Sequence, residues 1–366
     1  MSDEEFVIKS TDEAIYPQVI SFLQKNLQEN VPFHIVDEYP LALSKDNMER
    51  MKVMLINDKV VSHCYWFPYT IETSIGKLKV AGIGSVVTDP NHRNKGYSTR
   101  VLESCLKDIK QKGFQLAILW SNLTEFYERL GFCCAGLEHL LIVTSSEIPS
   151  YQKRFIIEQY TYKDFEQIFN LYKKQPYKVI RGEKEFEAYL GIPETYSFVA
   201  KLNEEIKAYA VIGKGKDFQN YIHEWAGDSS AVIETIQHIA KTFDFDEVIV
   251  NIPFKESPIY QELTQTFPAA EGVMGMIKIL NLKSLGSQIS HHIKGKSSKK
   301  IIFSKDKDYI IKIDDKEFRL ESEKKMVTLL FGPHNDPDII DIATELNTYL
   351  KPTFPISMYI WGLDSV

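Results

Sequence analysis

The chain has little cysteine: four in 366 residues, at Cys64, Cys105, Cys133 and Cys134. None forms a Cys-x-x-Cys pair, and the adjacent Cys133 and Cys134 would point to opposite faces of a strand. We read all four as reduced and mostly packed, as in a cytoplasmic protein. There is no run of about 18 apolar residues, so no membrane-spanning helix is expected. The start, MSDEEFVIKS, is acidic and has no apolar core segment, unlike a signal peptide. Positive charge is not in excess either. Lysine and arginine number 43 against 50 acidic residues, a net charge of −7. That argues against a nucleic-acid partner and is compatible with a cationic substrate. Metal motifs are missing too. His223-Glu224 opens like His-Glu-x-x-His, but Gly227 stands where the second histidine belongs. His291-His292 sits in the polar stretch SQISHHIKGKSSKK, read as a solvated linker near residues 287–300. His334, in GPHND, reads as a turn. Cys64 and Cys105 have no adjacent partner that would mark a nucleophile. No metal is expected.

What is present is an ordinary globular composition, 44% hydrophobic and 25% charged, at a length that predicts two or three domains. Thr11 to Leu27 has the periodicity of an amphipathic helix, with Thr11 or Asp12 near its cap. Lys52–Ile56, Val60–Thr73 and Lys77–Val87 read as a three-strand antiparallel meander, turned at Asn57-Asp58 and Gly76. Val101, Leu102, Cys105, Leu106 and Ile109 share one helical face, and Gly113 stops that helix. LAILW, ending at Trp120, reads as a strand buried on both sides. Asn122 and Glu125 have capping-box spacing before a short helix ending at Gly131. From about Tyr151 the same order of elements returns: helix, antiparallel strands, turn, helix, strand. The last 65 or so residues read as short strands, helices and an apolar tail, PTFPISMYIWGLDSV. Chain ends usually fray unless tied down. Burying Phe354, Met358, Tyr359 and Trp361 would be worth several kcal/mol at roughly 25 cal/mol per Å2, so the tail is expected to dock.

The chemistry concentrates in HRNKGYSTRVL. Arg93-Asn94-Lys95-Gly96-Tyr97-Ser98 fits Arg/Gln-x-x-Gly-x-Gly/Ala, with Ser98 in the last small position. It joins a strand to a helix. The first amides of a helix have no intrahelical partners, and their dipoles favour an anion. Gly96 has no Cβ to hold a ligand off, and Arg93 and Lys95 add charge. The expected occupant is a pyrophosphate. The antiparallel meander before it is unlike a Rossmann unit, and the Gly-Lys-Ser/Thr of a P-loop is missing.

Two stretches, SVVTDPNHRNKGYSTRVL and NLTEFYERLGF, with LAILW between them, resemble the GNAT family of N-acetyltransferases over roughly residues 50–140. The resemblance implies a mixed-sheet α+β fold and acetyl-CoA as co-substrate. It implies that Val86, Val87 and Thr88 pair by backbone with the pantetheine arm, as an added strand would. Arg93, Asn94, Lys95, Gly96, Tyr97, Ser98 and Thr99 would wrap the pyrophosphate, and Asn122 would touch the pantetheine end. Tyr127 matches the tyrosine that protonates the departing thiolate; by its neighbours Phe126 and Phe132 alone it would read as core packing. The one departure, Ser98 for glycine or alanine, is small.

The whole chain is similar in plan to the enhanced-intracellular-survival acetyltransferases. That similarity implies a catalytic GNAT domain at 1–148, a degenerate second GNAT-like domain at 149–285 and a sterol-carrier-like α+β domain at 286–366. It also suggests a homo-oligomer. The second unit lacks the arginine-glycine pattern. Its strand-to-helix turn reads HEWAGDSSAV, and no CoA binding is expected there. In that subgroup the terminal carboxylate is the catalytic base, which implies this role for Val366; Asp364 could hold a cationic acceptor. The expected reaction is transfer of acetyl from acetyl-CoA to a primary amine of an aminoglycoside, polyamine or lysine. The alternatives are an acyltransferase with another acyl-CoA donor and a non-catalytic regulator that binds CoA or lipid.

Overall fold

The computed structural model describes residues 5–148, 153–243, 245–295, 299–350 and 352–366. The first leg runs β1 (Phe6–Ser10), α1 (Tyr16–Leu27), α2 (Ile35–Glu38), β2 (Met51–Ile56), β3 (Lys59–Thr73), β4 (Gly76–Thr88), α3 (Tyr97–Gln111), β5 (Leu116–Leu119), α4 (Thr124–Glu128) and β6 (Cys133–Thr144). The second runs β7 (Ile156–Gln159), α5 (Phe165–Lys173), β8 (Lys178–Val179), α6 (Glu183–Leu190), β9 (Tyr196–Leu202), β10 (Glu205–Lys214), β11 (Asp217–Gly227), α7 (Ser229–Thr242), β12 (Glu247–Ile252), α8 (Pro258–Leu263) and β13 (Ala269–Ile279). The third runs α9 (Leu282–Lys294), β14 (Ile301–Lys305), β15 (Tyr309–Ile313), β16 (Lys316–Leu320), α10 (Glu323–Phe331) and α11 (Pro337–Leu350).

These elements fall into two compact units. One holds residues 1–136, 275–358 and Val366; the other holds 137–274 and 359–365. In the first unit, β1 to β4 are successive antiparallel neighbours, and β4 meets β5 in parallel. The end of β13 then lies antiparallel to β5, Met276 opposite Leu119. In the second unit the order β7-β9-β10-β11-β12 repeats that pattern, again antiparallel until a parallel β11–β12 step, and β6 closes it. The fold is a mixed-sheet α+β fold in which one order of elements occurs twice.

In the first unit, helices cover both faces of the sheet. α3 turns Val101, Leu102, Cys105 and Ile109 onto one face, against Met54, Cys64, Trp66 and Ala81. α1 and α2 bury Val19, Phe22, Leu23 and Ile35 on the other, with Val53, Tyr65 and Val87. This 3.6-residue patterning against strand alternation is what divides the sheet into two faces. The third leg adds a separate antiparallel meander, β14-β15-β16.

Three local readings are corrected. The helix expected from Thr11 starts only at Tyr16: Thr11 donates its amide to Met51, and Asp12 accepts from Ile15 in the turn before the helix. The Asn122–Glu125 capping box does not form, because the N-cap is Leu123 and has no side-chain cap; Ser121 accepts the Leu123 amide instead. The polar stretch read as a linker is mostly helix, α9, continuing to Lys294. Leu285, Ile289 and Ile293 recur at four-residue spacing and are fully buried. Three apolar residues at that spacing are enough once a sheet is there to receive them.

The tail is docked. Phe354, Ile356, Met358, Tyr359, Ile360, Trp361 and Leu363 are all buried. Ser357 exchanges two hydrogen bonds with Ser74, one to its backbone and one to its hydroxyl.

Candidate active site

The site begins where β4 leaves β5. The two strands are in register only from Val80–Leu116 to Gly82–Ile118. Two residues further on, β4 bulges: Tyr65 faces Gly84 and His63 faces Val87, so Ser85 and Val86 have no opposite number on β3. Ser85 takes a left-handed φ of 46°, which costs a non-glycine residue on the order of 1 kcal/mol. The imidazole of His63 meets it, Nδ1 standing 2.9 Å from the Ser85 carbonyl. From Gly84 to Thr88, β4 therefore offers a backbone edge that β5 does not pair. Such an edge can accept an extended ligand by main-chain hydrogen bonds.

Beyond it, Asp89 closes a short turn by accepting the Asn91 amide. Asn94 (φ 63°) and Gly96 (φ 74°) then take left-handed backbone before α3 starts. Arg93, Asn94, Lys95 and Gly96 are exposed, Tyr97 is buried, and Ser98 and Thr99 are half-buried. No side chain caps α3, so its first amides remain available, as helix geometry requires of an uncapped end. A Cβ placed on Gly96 would meet nothing within 4 Å among the described residues. The cradle is thus open, positively flanked and aimed by a helix, which suits a pyrophosphate.

Tyr127 stands on α4, buried among Cys64, Phe126 and Phe132. Burial pushes its hydroxyl up to about 12; the neighbouring Cys64 adds to this, and a hydrogen bond with Ser121 opposes it. The phenol therefore keeps its proton at neutral pH and can donate it. Asn122 is exposed in the preceding turn.

On the α1 and α2 face, His63, Tyr65, Phe67 and Tyr69 follow one another at every second position of β3. Tyr65 lies over Gly84 and Tyr69 over Gly82, so close that any Cβ there would collide with a ring. Val366 joins them: its Cγ2 would stand 2.7 Å from a Cβ on Gly82, and it packs with Val53, Tyr65 and Val87. Sequence reasoning missed His63, Tyr65 and Tyr69. Their signal was present, since residues two apart on a strand share a face.

Residues 7–135 match the family model of the acetyltransferase (GNAT) domain. This stretch is a GNAT domain. An uncharacterized N-acetyltransferase of Methanocaldococcus jannaschii is 31% identical over 78 residues, 20% of this chain and 32% of that protein. The chain thus spans about a third of the length of that curated relative. Among solved structures, a GCN5-related N-acetyltransferase from Anabaena variabilis superposes over 99% of this chain and all of its own, at TM-score 0.69 and 15% identity. Eis1 from Mycobacterium abscessus covers 92% of this chain and 96% of its own, at TM-score 0.59 and 12% identity. At these identities the two structures establish shared fold.

In the second unit Asp364 is tied up in a buried ion pair. It is 1% exposed, and its two oxygens take Nε and Nη2 of Arg181 at 2.9 and 2.6 Å. Arg181 also forks onto Glu224 at 3.0 and 2.7 Å, and Glu224 accepts the Tyr209 hydroxyl. A carboxylate so committed has little left to offer a substrate cation. Its sequence position near the chain end gave no hint of Arg181. His223, which opened the broken zinc motif, is also fully buried, with Nε2 2.9 Å from the Gly213 carbonyl.

Proposed function

We propose that the protein is an acetyl-CoA-dependent N-acetyltransferase that acetylates a primary amine by direct attack. The observation that carries this reading is the pairing of an unpaired β4 edge with an uncapped α3 start, built from consecutive residues of the GNAT domain. In this reading Val86, Val87 and Thr88 bind the pantetheine arm. Arg93 through Thr99 bind the pyrophosphate, and Asn122 touches the arm's inner end. The thioester carbonyl gathers negative charge as the amine attacks, and a bulge amide of β4 stabilises it. Tyr127 donates a proton to the departing thiolate.

An alkylammonium, with pKa near ~10.4, must lose a proton before it attacks. We assign that task to the terminal carboxylate of Val366. Support comes from the packing of Val366 over Gly82, four residues before the unpaired edge ends its bulge at Val86. Asp364 is left out of acceptor binding, for the reason given above. The acceptor classes consistent with the net negative charge are aminoglycosides, polyamines and exposed lysines. The enhanced-intracellular-survival plan, with residues 286–366 as a sterol-carrier-like domain and a cytoplasmic homo-oligomer as the working form, belongs to the same proposal. It is supported by the similarity in fold to Eis1.

The test is acetyl-CoA-dependent thiol release against a panel of those amines, with longer acyl-CoAs in parallel. Release that needs one amine class and prefers acetyl-CoA supports the proposal. A preference for long chains would replace the donor, and CoA binding with no release from any amine would favour a regulator.

A further inference from the structure

We infer that His63 is a positioning residue of the GNAT site: its imidazole latches the Ser85 carbonyl and holds the bulge at which β4 parts from β5. The inference rests on the proposed function only for its consequence on turnover; the latch itself is a statement about the fold.

The carbonyl of Ser85 can only accept, so the proton on the His63 ring sits at Nδ1. That leaves Nε2 as a lone-pair acceptor. Nε2 is buried and has no hydrogen-bond partner among the described residues. Leaving such an atom unpaired is unfavourable, so a histidine held here for packing alone would be a poor choice. Burial lowers its pKa to about 4, against the hydrogen bond to Ser85, so the ring is neutral at working pH. What the ring achieves is the single bond at Nδ1, reaching a residue 22 positions away.

That bond falls where the backbone needs it. Between the pairs His63–Val87 and Tyr65–Gly84, β4 spends one residue more than β3. Ser85 absorbs the surplus at a left-handed φ of 46°, a conformation that persists when its surroundings hold it. Without the latch, the strained residue can relax toward ordinary strand geometry. A one-residue change of register would turn every following side chain to the other face, and with them the edge formed by Val86, Val87 and Thr88. The pyrophosphate cradle at Gly96 is a separate backbone feature and would survive. The latch should therefore govern the pantetheine arm and the reacting end of acyl-CoA more than the grip on its pyrophosphate.

The variants are His63→Leu and His63→Asn, since the asparagine Nδ2 can occupy the place of Nδ1 and donate to Ser85. With the best amine found, His63→Leu should lower kcat about tenfold or more, with a smaller loss of CoA affinity through the pantetheine arm, and His63→Asn should recover most of both losses. A leucine variant with wild-type kcat, or an asparagine variant no better than leucine, overturns the inference. If the wild type releases no thiol with any amine, the proposed function fails but the latch is still read by hydrogen exchange. Exchange at Ser85 to Val87 should quicken in His63→Leu and not in His63→Asn; unchanged exchange in both overturns it. If the leucine variant does not fold, nitrogen NMR of the wild-type ring decides. A proton on Nδ1 supports the latch, and a proton on Nε2 overturns it.

Discussion

The two copies of the strand-loop-helix junction, β4 to α3 and β11 to α7, differ at the point where an anion would sit. α3 follows Gly96 and has no side-chain cap. α7 follows Asp228, whose carboxylate accepts the Ser230 and Ala231 amides. The second helix thus carries its own anion, and those amides are already satisfied. Gly227 before it holds φ 126°, and a Cβ there would lie 2.1 Å from the Lys207 carbonyl, so the backbone is pressed against its neighbour. The strand gaps differ in the same sense. β11 and β12 are in register only at Tyr221–Ile249 and Ile222–Val250. Past that point Trp225 donates its indole N–H to the Asn251 carbonyl across the gap. The repeated topology therefore does not imply a repeated ligand. One aspartate and one tryptophan replace, within the chain, the contacts that the other copy leaves open.

The largest expected effect is at Tyr127. Tyr127→Phe should lower kcat by about 10²- to 10⁴-fold, the usual range for a lost general acid, with acetyl-CoA affinity retained by calorimetry. Full turnover would return Tyr127 to the core. Gly96→Glu makes the first junction resemble the second: a side chain at φ 74° and a carboxylate beside the cradle. CoA binding should weaken about 100-fold, equivalent to roughly 2.7 kcal/mol; unchanged affinity would mean that the pyrophosphate lies elsewhere. One residue added after Val366 moves the terminal carboxylate and should reduce kcat about tenfold or more if that carboxylate is the base. Undiminished activity would reassign the base.

Smaller effects sharpen the second unit. Asp228→Gly removes its cap and should cost at most about 1 kcal/mol, since glycine is itself a tolerated N-cap. It should not create CoA binding while Trp225 still spans the gap, and titration of the variant with CoA checks this. The two units should also answer pH differently. Burial pushes the Glu138 carboxyl up to about 7, against a hydrogen bond from the Tyr359 hydroxyl. Folded Glu138 thus holds a proton that the unfolded chain, at 4.5, has already released. Its favourable contribution is complete below pH 4.5 and is lost as pH rises through 7. Glu138→Gln should therefore melt higher relative to wild type at pH 8 than at pH 5, and melting curves at the two pH values check this. His63 works in the other direction: lowered to about 4 from 6.5, it contributes stability above pH 6.5 that is lost as pH falls through 4.

How much could be read in advance followed the range of the interactions. The meander, α3 and β5 were legible because each depends on neighbours within a few residues. α9 was misread because its polar composition outweighed three well-spaced apolar residues whose value appears only against a sheet. The Asn122 capping box failed because matching spacing does not oblige a helix to start there; the turn at Ser121 took the amide first.

The sequence by itself determined a basic strand-to-helix turn at Arg93 to Thr99, a recurring order of elements and a tail too apolar to be left in water. Local propensity and periodicity are enough for those. Tertiary structure alone decided that Asp364 answers Arg181 across 183 positions, that the end of β13 completes the sheet beside β5, and that His63 meets Ser85. Such pairs depend on strand register and on closing long loops. A linear pattern carries no term for either until the folded chain has brought the partners within reach.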